Sequence, residues 1–180
     1  MTVFSVIILL SWLFLVAYWI ISARGAKKMV HRVGPRRYLG ILLIAACAII
    51  FHSYDGHVFP RVPWVGALGA GLAVSGIAFA VWARRCLGKN WSPVPSIQEN
   101  HELVTSGPYR FVRHPIYTGV IVALIGSALV SNLLWLIICA AFALTFAWRV
   151  HVEDSLMAKL FPQAYPAYRA RTKALIPFVW

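Results

Sequence analysis

From Thr2 to Ala23 the chain carries no charged side chain. At roughly 1.5 Å per residue, a helix over this run crosses the ~30 Å hydrocarbon core of a bilayer. Lipid offers no hydrogen-bond partners, so the backbone of an isolated spanning segment has to satisfy itself, and a helix does so. Met1 to Ser5 hold no basic residue and positive charge begins only at Arg24, which is the reverse of a secretory signal. The segment is expected to be a retained first span.

Further apolar runs follow at Tyr38–Tyr54 and Val62–Ala83, and then from His114 to Trp148, where the Ser131-Asn132 turn signal divides the stretch in two. The predicted fold is an all-α polytopic membrane helix bundle of about five transmembrane helices, over 2–23, 38–54, 62–83, 114–130 and 133–148. The tail is expected to begin as a helical continuation of the last span, with Val152, Leu156 and Leu160 along one face. The third span is rich in small residues (Gly66, Gly69, Gly71, Ser75, Gly76), which allow close helix packing in lipid. At about 24 Å, each arm of the last hairpin is short, so local thinning of the bilayer or recruitment of flanking residues is expected.

Seventeen Lys and Arg against five Asp and Glu give a net charge of +12. In a soluble protein this balance would suggest nucleic acid. Here the charges fall between apolar runs, a placement that fits membrane topology and anionic headgroups and argues against a nucleic-acid face. Successive loops carry six, one, five, no and five basic residues, from the Arg24–Arg37 cluster to the tail Arg149, Lys159, Arg169, Arg171 and Lys173. Cytoplasmic loops hold the excess, so the tail and the loop after the third span are expected in the cytoplasm and the amino terminus outside.

Both of those polar segments then share one side. The loop from Arg84 to Pro115 supplies turns and open backbone groups, and its neutral reading is a solvated connector. Arg149 and Glu153, four apart at the membrane exit, form either an ordinary intrahelical pair or the mouth of a pocket. Cys47, Cys86 and Cys139 form no CxxC and the six histidines include no HExxH, so no metal is expected.

The run His101-Glu102-Leu103-Val104-Thr105-Ser106-Gly107-Pro108-Tyr109, followed by Arg113-His114-Pro115-Ile116-Tyr117-Thr118-Gly119, resembles the signature of the isoprenylcysteine carboxyl methyltransferase and phospholipid methyltransferase superfamily. Arg149, Glu153, Phe161, Tyr165, Tyr168, Ile176 and Pro177 continue it in order. The resemblance covers the carboxyl-terminal half from Leu87 and implies a single domain with a cofactor site drawn from 87–117 and 149–177. It implies S-adenosylmethionine held by His101, Glu102, Leu103, Val104, Tyr109, His114, Pro115, Ile116, Tyr117 and Glu153, with Arg149 facing a lipophilic acceptor and Arg149 with Glu153 as the catalytic pair. Pro162 and Gln163-Ala164 replace a glycine and an acidic pair usual in the tail, and Val94 stands where eukaryotic members have glutamine. A carboxylate acceptor needs no base, whereas an amine would need one from His114, His151 or Glu153. An NADPH-dependent membrane sterol reductase shares a similar Arg-His-Pro-x-Tyr segment and is the competing enzyme class, with a non-catalytic membrane module as the third reading.

Overall fold

The computed structural model describes residues 2–32, 62–92, 94–131 and 133–176; the expected span 38–54 lies outside them. Helix α1 covers Val3–Ala23, α2 Pro63–Leu87, α3 Pro115–Val130, α4 Leu133–Leu160 and α5 Ala164–Arg171. The starts follow local chemistry. The Thr2 hydroxyl accepts from the Ser5 amide at 3.2 Å, and α2 and α3 each open on proline, whose missing N–H costs nothing in a first turn.

The stretches Val3–Ala23, Pro63–Asn90 and Trp135–Leu160 are long and apolar enough to cross a membrane, while α3, at 16 residues, is shorter. The expected segment 133–148 is thus the first part of a 28-residue helix that includes the start of the tail. At about 42 Å this rod needs no thinned bilayer. The shortness foreseen for both hairpin arms applies to α3 alone.

The small residues of α2 meet those of α3 in an antiparallel seam. A Cβ built on Gly76 would stand 2.5 Å from the Gly119 carbonyl oxygen and 2.6 Å from the Ala123 nitrogen. The two backbones therefore touch, and dispersion between them replaces the hydrophobic drive that lipid does not supply. Helix α1 lies parallel to α2: Gly66 faces the Phe4 ring near their starts, and the Ser22 carbonyl accepts from Arg84 at 2.8 Å near their ends. The end of α1 and the start of α2 therefore lie at opposite ends of the bundle. Trp12 fastens α1 to the hairpin by donating to Ser127 Oγ at 3.0 Å and stacking with Trp135.

Arg84, 4% exposed, closes one end of the bundle. It donates to the Gly88 and Ser22 carbonyls and lies 4.4 Å over the Trp91 ring, so its charge meets the negative ends of α1 and α2. Beside it a short antiparallel pair, β1 (Met29–Arg32) with β2 (Ser96–Gln98), ties the segment after α1 to the loop after α2. Tryptophans 82 and 148 are half exposed on α2 and α4, a usual arrangement at a lipid–water boundary.

Candidate active site

His114 caps α3 just outside its first residue, and the tail returns to this point. The Arg113 and His114 amides donate to the Lys173 and Ala174 carbonyls at 2.8 and 3.0 Å, and Thr118 Oγ1 donates to the Leu175 carbonyl at 2.7 Å. The backbone around the Arg-His-Pro motif is thereby paired with residues 173–175 rather than with solvent.

The imidazole so placed lies between two carboxylates of α4. Its Nδ1 is 3.3 Å from Glu153 Oε2 and its Nε2 is 2.9 Å from Asp154 Oδ1. Glu153 also accepts from the Tyr117 hydroxyl at 2.5 Å and from Arg149 at 3.3 Å. Asp154, 5% exposed, accepts from Arg113 at 3.1 Å and from the Tyr165 hydroxyl, with Arg169 at 3.9 Å. Tyr117 stacks nearly parallel with both His114 (centroids 5.5 Å, 3°) and Phe146 (4.4 Å, 9°), and the Arg149 guanidinium sits 5.3 Å over its ring. Burial alone would lower the pKa of His114, but the hydrogen bonds to Asp154 and Glu153 outweigh it and raise the value above the ordinary one. Tyr168, donating to the Tyr109 carbonyl at 2.7 Å, is pushed up to about 12, chiefly by burial.

Of the residues singled out in the sequence, Tyr117, His114, Arg149 and Glu153 are thus in direct contact. Val104, Tyr109, Ile116 and Tyr117 pack together with Ala83 and Trp91 in one cluster, and Pro115 is buried beside Ile116. Gly107 makes this packing possible: its φ is +61°, and a Cβ there would meet Cys86 Sγ at 2.7 Å. Leu103 is half-buried. His101 is half-buried with its ring 6.2 Å from Phe161, and burial followed by the Lys27 charge lowers its pKa, which favours a neutral ring. Glu102 turns outward, its side chain 74% exposed and 3.5 Å from Lys27. His151 is exposed.

The sequence reading missed two residues. Asp154 was signalled only as the second of two consecutive acids in a chain that holds five. Gln98, 2% exposed on β2, has both amide atoms buried without a partner among the described residues; Ser96 Oγ and His101 Nδ1 are in the same condition. β2 packs against α4, so four unsatisfied polar atoms lie on the segment that covers this helix. Unpaired buried groups of this kind cost about 1–3 kcal/mol each, and a polar ligand that paired them would recover that cost.

Fold and site together define an integral membrane helical protein with a charged, aromatic-lined site at one end of its bundle. The phospholipid methyltransferase family profile matches residues 64–164, and the chain belongs to that family. Among its relatives is the cobalt-zinc-cadmium resistance protein CzcN of Cupriavidus metallidurans, 29% identical over 82% of this chain and 64% of the relative. Protein-S-isoprenylcysteine O-methyltransferase B of Arabidopsis thaliana is 29% identical over 64% of this chain and 61% of its own length. The chain therefore spans somewhat under two thirds of these relatives. The solved eukaryotic intramembrane Ras methyltransferase, isoprenylcysteine carboxyl methyltransferase, shares the fold with a TM-score of 0.64 at 24% identity, over 82% of this chain and 55% of that one.

Proposed function

We propose that this protein transfers a methyl group from S-adenosylmethionine to a lipophilic acceptor carboxylate, at a site on the cytoplasmic face. The observation that carries the reading is the meeting of His114, Tyr117, Arg149 and Glu153 at one end of the bundle. The residues present suit the donor. Glu153 offers an anionic acceptor for an ammonium or a ribose hydroxyl, and Gln98 and His101 the unpaired polar atoms that a nucleoside or amino acid moiety would satisfy. Leu103, Val104, Tyr109, Pro115 and Ile116 form the apolar surround, and the Glu102 backbone lies in the same run.

Bound S-adenosylmethionine supplies a methyl group already activated for displacement, so this chain's work is alignment and exclusion of water. Both ring nitrogens of His114 face carboxylates, and Glu153 accepts from three donors. Neither is free to take a proton, and His151 lies exposed on α4. An amine acceptor, which must lose a proton, is therefore poorly served; a carboxylate needs no base. Arg149 is the group to hold it, by paired hydrogen bonds. Its position where α4 leaves the apolar run suits an acceptor arriving from the bilayer.

The test offers prenylcysteine analogues, phosphatidylethanolamine and quinol-like isoprenoids in parallel, with methyl-labelled S-adenosylmethionine and the full chain in lipid. Base-labile label on the prenylcysteine analogues is the expected result. Label confined to the amine of phosphatidylethanolamine would overturn the carboxylate assignment, and transfer only to water-soluble acceptors would overturn the lipophilic one.

A further inference from the structure

Asp154 lies next to the proposed site without being one of its ligand-facing groups, and its oxygens are taken up by Arg113, His114, Tyr165 and Arg169. Consecutive residues on a helix point about 100° apart, so Glu153 and Asp154 would ordinarily serve different neighbours. Here one ring joins them. A carboxylate is an acceptor only, and a neutral imidazole has one N–H and one lone pair. A neutral His114 would turn its lone pair toward either Glu153 at 3.3 Å or Asp154 at 2.9 Å and lose one of the two bonds. Only the imidazolium satisfies both.

We infer that Asp154 is a positioning residue for the proposed methyl transfer: it holds His114 as an imidazolium, and through that ring fixes the Glu153 carboxylate in place. The inference rests on the reading of Glu153 as a cofactor-binding group. The charges around the ring are consistent with it. From α4 come Glu153, Asp154 and, beyond Glu153, Arg149; from the preceding loop comes Arg113; from α3 comes Tyr117; from α5 come Tyr165 and Arg169. The three arginines oppose a further positive charge, yet each is paired to one of the two carboxylates, and the tyrosines reach the carboxylates as neutral donors. The parallel stack with Tyr117 then fixes the ring plane, so the remaining freedom of Glu153 depends on whether Nδ1 carries its proton.

The sign of the pH dependence follows. Neighbouring carboxylates favour the charged ring, so its proton is lost only as pH rises through a value above the ordinary one. Removing Asp154 brings that loss to lower pH. An opposite charge in contact shifts a titration by about 1–3 units, so Asp154→Asn is expected to lower the His114 midpoint by about one unit or more, a tenfold change in proton affinity.

The test uses the full chain in lipid nanodiscs with nitrogen-15 histidine, the His114 signals being assigned by their loss in His114→Gln. In the unaltered protein both ring nitrogens should be protonated at pH 7.5, about one unit above the ordinary histidine value. S-adenosylhomocysteine affinity should fall at alkaline pH with the same midpoint. In Asp154→Asn both midpoints should move down together, whereas in Tyr165→Phe, which removes a competing donor from the Asp154 oxygen that faces His114, neither should move down. A neutral His114 at pH 7.5 in the unaltered protein overturns the inference whether or not Asp154→Asn folds. Binding that persists with an unmoved alkaline limb in Asp154→Asn overturns the positioning role alone. No binding by the unaltered protein at any pH refutes the cofactor reading and the positioning role with it.

Discussion

Glu153→Gln is the sharpest single perturbation of the site. The side chain keeps its shape, but a carboxylate that accepts from His114, Tyr117 and Arg149 becomes an amide with one acceptor oxygen and a donor NH2. The amide cannot satisfy His114 Nδ1 and Arg149 together, so one donor is left facing another. At the ligand the loss is that of one charge-assisted hydrogen bond, about 1.5–3 kcal/mol, or roughly 10- to 150-fold in affinity. Glu153 is about a quarter exposed, so solvent screening favours the lower half of that range. Calorimetric titration with S-adenosylhomocysteine reads the affinity, and thermal unfolding of the same sample in detergent shows that the bundle persists. Affinity within twofold of the unaltered protein, with unfolding unchanged, would refute the assignment and return Arg149–Glu153 to an ordinary intrahelical pair.

Arg149→Lys keeps the charge but not the planar fork, so methyl transfer to a carboxylate should fall at least tenfold while S-adenosylhomocysteine affinity changes less; equal rates would remove Arg149 from the acceptor site. Gly76→Val forces a side chain into the α2–α3 seam, where the Gly119 oxygen already stands 2.5 Å from a Cβ, and should cost about 1–3 kcal/mol, read as a lowered melting temperature in detergent. An unchanged melt would mean the seam is looser than described. With the native cysteines replaced, Thr2→Cys should react with an impermeant reagent on intact cells and Arg171→Cys only after permeabilisation; the reverse pattern would invert the proposed orientation.

Much of this arrangement could be read from the residues alone, because lipid leaves few alternatives. Uncharged runs bound α1, α2 and the hairpin, and glycines at Gly69 and Gly76 marked the packing seam before its partner Gly119 was visible. The ordered signature around His114 and Tyr117, with Arg149 and Glu153, named four residues that do meet. What escaped depended on tertiary contacts with no local pattern. β1 and β2 are a few residues long and far apart in sequence, too short to show an alternation. Gln98 reads as a polar loop residue, and only its burial without a partner among the described residues distinguishes it. Asp154 escaped because the sequence could not indicate that one imidazole bridges two neighbouring acids.

The central claim is that the charged end of this bundle holds a methyl donor. Parallel calorimetric titration of the full chain in lipid with S-adenosylhomocysteine and with NADPH tests it most directly. Saturable binding of S-adenosylhomocysteine, weakened at least tenfold by Glu153→Gln and with no heat from NADPH, is the result predicted. Saturable binding of NADPH with S-adenosylhomocysteine inert would contradict it.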